Sequence, residues 1–154
     1  MRCDLKVYVL KESDFSTEQA IKKCLQDDVK IIRNKYGKPM ISGDIHIGVT
    51  HTNGLLFIAV WNKNFGIDAE LNNRELKNKE AIISKYYTEH EKNENFLDVW
   101  VKKEAYLKFL GTGLKDLKKA DTDSLKFQKV VYKDYIIYVY TEFPVEKITI
   151  KELF

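Results

Sequence analysis

Apolar residues along the chain follow two spacings, one typical of β-strands and one typical of helices. Alternation over residues 5–10 predicts a first strand. Helical spacing then predicts a helix that begins at Ser16 or Thr17, continues for about 17 residues and ends near Lys35. We expect Gly37-Lys38-Pro39 to stop this helix and form a rigid turn, because glycine caps helix ends and proline breaks helices.

Three further strands are predicted after this turn, and two of them form a hairpin. Alternation over residues 45–49 predicts one strand, and residues 55–61 are its expected antiparallel partner. Asn53-Gly54 lies between them and is a strong signal for a two-residue hairpin turn. A polar turn at 62–64 then leads into a fourth strand at 65–71.

The second half of the chain contains a charged helical region, a long helix and three strands. These elements are predicted at residues 72–94 (with an irregular break near 88–95), 96–110, 124–132, 135–143 and 147–151. Gly111 and Gly113 end the long helix, and Lys133-Asp134 fits a tight turn. Both halves thus repeat a strand, a helix and a hairpin. This pattern predicts an α+β domain of antiparallel sheets with helices on one side.

The composition indicates one compact domain in the cytoplasm. The chain has 154 residues, 44% of them hydrophobic, which is enough for a sizeable core. It has no apolar run of about 20 residues and no signal-peptide core at its start, so we expect no membrane span. Cys3 and Cys24 are too few for a disulfide framework or a zinc site, which fits a cytosolic protein with reduced thiols.

The charge balance argues against nucleic acid as the main ligand. The net charge is +3, from 26 basic and 23 acidic residues. Lysine content and nine tyrosines suggest RNA binding only weakly, because the charge is balanced and no aromatic sheet motif is present. The composition leaves room for a local basic patch that holds a phosphorylated ligand.

Two carboxylates stand one residue apart in the fourth strand. Asp68 and Glu70 would face one side, and Ile67 and Ala69 the other, because side chains alternate along a strand. Neighbouring carboxylates repel each other unless a cation lies between them, and Mg²⁺ prefers such oxygen ligands. The pair predicts half of a metal site. The alternative is a solvated strand face, which is common in antiparallel sheets.

A third carboxylate, Glu104, lies on the long helix. On a helical wheel it falls at the edge of an apolar face, and Lys108 follows one turn later. The residues that share this face are Phe96, Trp100, Leu107 and Leu110. A glutamate against apolar residues needs a cation or a donor, which makes Glu104 a candidate third ligand. The alternative is a surface pair of Glu104 with Lys108, worth a few tenths of a kcal/mol.

Two basic residues are candidates for binding a phosphorylated ligand. His51 lies before the hairpin turn, between Thr50 and Thr52, and could donate to a phosphate with help from the hydroxyl groups. The alternative is a partly buried structural histidine. Lys38 would be presented by its rigid turn, whereas the alternative, in which Gly37-Lys38-Pro39 is a simple helix stop, is the more common case.

In chain order, these segments resemble the motifs of the phosphopantetheinyl transferase superfamily, specifically its surfactin-synthetase-activating type. The matching segments are Gly37-Lys38-Pro39, Thr50-His51-Thr52, Gly66-Ile67-Asp68-Ala69-Glu70, Trp100-Val101-Lys102-Lys103-Glu104-Ala105-Tyr106-Leu107-Lys108 and Gly111-Thr112-Gly113-Leu114. They correspond to that family's GKP turn, (S/T)H(S/T) hairpin, G(I/V)D(I/V)E strand, WxxKE(A/S)xxK helix and GxGL end. Ala69 departs from the family's branched residue, and we expect only a packing effect.

The resemblance implies a fold and a reaction. The fold has two similar lobes, each an antiparallel sheet packed by helices, within a single domain over residues 1–154. The lobes would span about 1–62 and 63–154. The reaction moves the 4′-phosphopantetheine arm of coenzyme A onto a serine of an acyl or peptidyl carrier protein. Adenosine 3′,5′-bisphosphate is the other product.

The resemblance also implies roles for individual residues. Asp68, Glu70 and Glu104 would bind Mg²⁺ together with the coenzyme A pyrophosphate. Glu104 would take the serine proton, directly or through a metal-bound water, and Lys108 would pair with the pyrophosphate. The other coenzyme A contacts would come from Thr50 and His51 at its phosphates and from Lys38 and Pro39 at its adenine.

The first half of this chain is shorter than in that type of transferase, where a longer first half supplies basic residues for the 3′-phosphate. Lys22, Lys23, Lys30 and Arg33 are the candidates to replace them, and the sequence favours none. We expect a monomer, with a homo-oligomer as the alternative. The alternative function is a non-catalytic relative that binds a coenzyme A-like nucleotide or a carrier protein.

Overall fold

A computed structural model describes residues 4–113, 116–117 and 120–154 of the chain. Cys3 and Leu114, both used in the sequence predictions, lie outside the described residues. The described residues form nine strands, three α-helices and one 3₁₀ turn, so the predicted α+β class is confirmed. Within these residues, no helix is long and apolar enough to cross a membrane.

The secondary structure follows the predicted order closely. The strands are β1 (Leu5–Lys11), β2 (Ile31–Arg33), β3 (Pro39–Ile41), β4 (His46–Thr52), β5 (Leu55–Trp61), β6 (Phe65–Leu71), β7 (Phe127–Tyr132), β8 (Tyr135–Thr141) and β9 (Ile148–Glu152). The helices are α1 (Thr17–Leu25), α2 (Lys79–Tyr86) and α3 (Phe96–Leu110), and the 3₁₀ turn spans Glu91–Asn93. The hairpin of β4 and β5 and the long helix α3 are confirmed.

The strands form two main sheets and a small hairpin. The first sheet has the order β4-β5-β1-β9, the second the order β6-β8-β7, and β2 pairs with β3. The strand pairs are antiparallel as expected except at one place, where β9 returns to the first sheet and pairs parallel to β1. The side chains of Leu5, Val7 and Val9 in β1 are buried. The backbone N–H and C=O groups on the edge of β1 that does not pair with β5 therefore need hydrogen-bonding partners, and β9 supplies them. The division into lobes near residue 62 stays a prediction.

Helix α1 begins as predicted and ends early. Ser16 is its N-cap, and a capping box joins it to Gln19 in both directions. The helix ends at Leu25, because Gln26 adopts a left-handed conformation with φ 53°. The predicted continuation to Lys35 is therefore wrong.

The residues predicted as the second half of this helix form the β2–β3 hairpin instead. Ile31 and Ile32 are β-branched, which favours a strand over a helix. In the turn, the Asn34 side chain accepts hydrogen bonds from two backbone N–H groups, and Gly37 takes φ +88°. Gly37-Lys38-Pro39 therefore connects two strands and does not stop a helix.

Helix α3 packs on the second sheet through a different face from the predicted one. Leu97, Val101 and Ala105 contact the buried β8 residues Ile136 and Tyr138. Of the four residues expected on the buried face (Phe96, Trp100, Leu107 and Leu110), Leu107 is buried and Leu110 is exposed. The helical wheel gave the wrong buried face because α3 is enclosed on more than one side, as its fully buried Lys103 shows.

Two glycines allow the close packing that creates the site. A Cβ atom on Gly66 of β6 would lie 1.8 Å from the backbone oxygen of Ala105 in α3. A Cβ atom on Gly48 of β4 would lie 2.8 Å from side-chain atoms of Ile67 and Phe65 in β6. Only glycine permits both approaches, so α3 and β4 each lie directly against β6.

Candidate active site

The candidate site lies where β4 and β6, edge strands of the two main sheets, run beside each other. Thr50 Oγ1 donates a hydrogen bond to Asp68 Oδ1 at 2.9 Å, and Thr52 Oγ1 donates to Glu70 Oε1 at 2.5 Å. Ala69, between the two acidic residues, lies in the core shared by the sheets. Asp68 and Glu70 therefore share one side of β6, as the alternation predicts.

Glu70 is buried, and hydrogen-bond donors already surround its carboxylate. Oε1 also accepts hydrogen bonds from the Asn53 side chain at 3.2 Å and from the Leu71 backbone at 2.9 Å. Oε2 pairs with Arg74 Nη1 at 2.5 Å. The alternative of a solvated strand face is wrong for Glu70, which is 6% exposed. A metal ion at Oε2 would have to share this oxygen with Arg74 or replace Arg74.

Lys108 reaches from α3 to the first acidic residue of β6. Its Nζ lies 2.9 Å from Asp68 Oδ1 and donates a hydrogen bond to the Val49 carbonyl oxygen at 3.2 Å. Both partners belong to the strands that form the site. The alternative of a surface pair between Glu104 and Lys108 is therefore not what the structure contains, since Lys108 pairs with Asp68.

Glu104 lies beside this pair. Burial and, secondly, the negative charge of Asp68 raise its pKa to about 7, although the positive charge of Lys108 opposes this rise. No residue in the described part of the chain donates a hydrogen bond to this carboxylate. Lys108 pairs with Asp68 but does not fully compensate Glu104, so a bound cation would supply the missing positive charge.

Lys38 and Pro39 line the site, although the Lys38 amine is already engaged. Its Nζ donates hydrogen bonds to Asn64 Oδ1 at 3.1 Å and, more weakly, to the Phe109 carbonyl oxygen at 3.4 Å. Burial lowers the pKa of Lys38. The turn is thus attached to the C-terminal end of α3, and Pro39 lines both cavities of the site.

His51 lies at the rim, on the opposite side of β4 from the two threonines. It is exposed, and its Nδ1 lies 3.2 Å from Glu12 Oε1. The alternative of a partly buried structural histidine is therefore wrong. The hydroxyl groups of Thr50 and Thr52 donate to Asp68 and Glu70, so a phosphate would have to share or replace these bonds. Phosphate binding by Thr50 and His51 stays a prediction.

Two adjoining cavities open over these residues and share Gly37, Pro39, Val49 and Lys108. The smaller, of about 170 Å³, is mostly apolar and reaches between β4, β6 and the end of α3. The larger, of about 310 Å³, is polar and contains Thr50, His51, Asp68 and Glu70. Thr17 and Arg33 also line the larger cavity.

A buried ion pair that the sequence analysis missed holds α3 in place behind the site. Lys103 and Glu91 have no solvent exposure, and Lys103 Nζ lies 3.0 Å from Glu91 Oε1. Lys103 also donates a hydrogen bond to the Ala120 carbonyl oxygen at 2.6 Å, and Glu91 accepts hydrogen bonds from Thr122. Burial opposes ionisation of Glu91, but hydrogen bonds from Thr122, Thr88 and Lys103 hold its pKa below the usual value.

One signal in the sequence could have indicated this pair. Lys103 lies between Val101 and Ala105 on a helix that is apolar on most sides, where an unpaired lysine would be costly. Its partner Glu91 is 12 residues earlier and outside a regular helix, so helical spacing could not identify it. Lys103 is the neighbour of Glu104, which makes the pair a support for the site.

Comparison with known proteins places part of this chain in one family. A family model described as the 4′-phosphopantetheinyl transferase superfamily matches residues 64–147, which contain β6, α3, β7 and β8. The 4′-phosphopantetheinyl transferase gsp of Aneurinibacillus migulanus is 28% identical over 116 residues, covering 70% of this chain and 49% of that protein. The chain therefore spans about half the length of the curated relative that it matches.

Proposed function

The chain belongs to the 4′-phosphopantetheinyl transferase superfamily, and we propose that it transfers the 4′-phosphopantetheine arm of coenzyme A to a carrier-protein serine. The acceptor would be an acyl or peptidyl carrier protein. One observation supports this proposal above the others. Asp68 on β6 and Lys108 on α3, from two separate motifs, form an ion pair in one cleft, and the charges of both act on Glu104 of α3.

The proposed reaction exchanges one phosphorus–oxygen bond for another. The serine oxygen forms a bond to the phosphorus that carries the pantetheine arm. The bond from that phosphorus to the bridging oxygen breaks, and adenosine 3′,5′-bisphosphate leaves. Glu104 is the proposed acceptor of the serine proton, and a pKa near 7 suits a base that works at neutral pH. Lys108 would stabilise the negative charge of the pyrophosphate as it departs.

The carboxylates fit a hard divalent cation, and we propose Mg²⁺ held by Asp68, Glu70 and Glu104. Two observations support the fit: the raised pKa of Glu104 beside Asp68, and the lack of a donor to Glu104 among the described residues. When bound, the ion would neutralise charge on the pyrophosphate. Glu70 would join the set by exchanging its contact with Arg74 for the ion.

Arg33 is the proposed partner of the coenzyme A 3′-phosphate. Of the four basic residues considered for this role, Arg33 lines the larger cavity together with His51, and the three lysines do not line it. Its Nη1 donates a hydrogen bond to the Gly37 carbonyl oxygen at 2.8 Å, which holds the guanidinium at the rim. The remaining donors of this group can bind a phosphate in the bidentate way that suits arginine.

A panel of apo carrier proteins from fatty-acid, polyketide and peptide synthesis tests the proposed function. Each carrier is incubated with the full chain, coenzyme A and Mg²⁺, and mass spectrometry measures the gain of one phosphopantetheine arm. We expect gain on at least one carrier and loss of this gain in Glu104→Gln. Glu80→Gln, which changes an exposed helical glutamate, is the matched control. Absence of transfer to every carrier by folded protein would refute the enzymatic proposal.

The engagement of Glu70 by Arg74 favours one second candidate, a non-catalytic protein that binds a coenzyme A-like nucleotide or a carrier protein. Calorimetry separates the two functions. A binding-only protein would bind coenzyme A or a carrier with no modified product, whereas the transferase would yield both binding and product.

A further inference from the structure

Outside the cleft, a second group of side chains brings three potential metal ligands together. One ligand atom each from His90, Glu94 and Asp123 lies within 4.8 Å of the other two. His90 Nδ1 lies 2.8 Å from Asp123 Oδ2 and 3.6 Å from Glu94 Oε2. None of the three residues lines either cavity of the candidate active site.

One oxygen atom of this group accepts no hydrogen bond from a described residue, although the His90 imidazole lies 3.6 Å from it. Glu94 Oε2 is buried, and within the described residues it accepts no hydrogen bond. A buried carboxylate oxygen without a donor is costly, and a cation at this point would remove the cost.

We propose that His90, Glu94 and Asp123 form a second cation site, for a first-row transition-metal ion of the Zn²⁺ type. An imidazole nitrogen with two carboxylates is a donor set that Zn²⁺ accepts readily, whereas Mg²⁺ prefers oxygen ligands alone. Because His90 is largely exposed, water would complete the coordination.

The position of this site gives it a structural role. His90 and Asp123 adjoin Glu91 and Thr122, which are hydrogen-bonded to each other, and Glu91 pairs with Lys103 of α3. An ion at the site would join the same two chain segments just outside the buried pair. It would thereby fasten the segment around residue 122 to the 3₁₀ turn and strengthen the support behind α3.

Calorimetric titration of the full chain with ZnCl₂ tests the proposal. Saturating Mg²⁺ is present, so that the carboxylates of the active site are occupied. We expect one equivalent of Zn²⁺ to bind, and His90→Ala and Asp123→Asn to weaken this binding at least about tenfold. His46→Ala, which removes an exposed imidazole elsewhere, is the control and should bind as the unaltered protein does. Zn²⁺ should also raise the Tm of the unaltered protein and not that of His90→Ala.

A measurement on the unaltered protein covers the case in which a variant does not fold. The chain has three histidines, and the spectra of His46→Ala and His51→Ala identify the imidazole NMR signals of His90 by elimination. Zn²⁺ should shift the His90 signals and leave those of His46 in place. No Zn²⁺ binding, binding undiminished in His90→Ala and Asp123→Asn, or unshifted His90 signals would each overturn the proposal.

Discussion

The carboxylate of Glu104 should make the metal-free protein less stable as the pH rises. Its pKa is about 7 in the folded chain and 4.5 in the usual case. At a pH below both pKa values, Glu104 is protonated in the folded and in the unfolded protein. Between the two pKa values it ionises mainly in the unfolded protein, so the free energy of unfolding falls as the pH rises. At about 1.4 kcal/mol per pH unit, the difference corresponds to a loss of about 3 kcal/mol by pH 8.

Urea unfolding with EDTA at a series of pH values from 4 to 8 measures this loss. Glu104→Gln removes the titrating group, so its stability relative to the unaltered protein should rise across this range by about 3 kcal/mol. Glu80→Gln is the matched control, because this exposed glutamate should change nothing. Adding Mg²⁺ at pH 8 should restore much of the loss in the unaltered protein only. A difference between Glu104→Gln and the unaltered protein that does not vary with pH would refute the reasoning.

Three further predictions concern the surroundings of Glu104. Lys103→Met should lower the free energy of unfolding, measured in urea, by about 3–5 kcal/mol, because it leaves Glu91 buried without its cation. The double variant Lys103→Met/Glu91→Gln should lose less stability, and an equal loss in both variants would contradict the pairing. Arg74→Gln should lower the Mg²⁺ concentration for half-maximal transfer if Glu70 is a metal ligand, and an unchanged value would argue against that role. Gly66→Ala should cost about 3 kcal/mol or more, since α3 must move away from β6, and near-normal unfolding would contradict the close contact.

The parts of the fold that depend on local pattern were predictable from the sequence. The β4–β5 hairpin follows from Asn53-Gly54 and apolar alternation, and α3 follows from its length and spacing. The end of α1 and the pairing of β1 with β9 were not, because each depends on a partner. Residues such as Ile31 form a strand because β3 pairs with them. No local pattern indicates which strand pairs with the second edge of β1.

The same distinction applies to the site. Strand alternation alone predicts that Asp68 and Glu70 share one side of β6. It also predicts that Ile67 and Ala69 lie on the other side, and both are in the core. The contact between Lys108 and Asp68 required the approach of α3, which Gly66 permits and no spacing rule foretells. The contacts of Arg74 with Glu70 and of Glu91 with Lys103 were not predicted. Arg74 and Glu91 lie outside the α-helices and strands, where the spacing of residues does not indicate which way a side chain points.

The parallel pairing of β1 with β9 has a consequence for how the protein is made. β1 can pair with β5 once both have left the ribosome, but its other edge can be paired only when residues 148–152 have emerged. The edge of β1 that faces β9 therefore lacks its partner while residues 12–147 are made, and an unpaired strand edge invites contact with other chains. We expect the nascent chain to need protection of this edge until β9 has left the ribosome, and the first sheet to be completed only after that point.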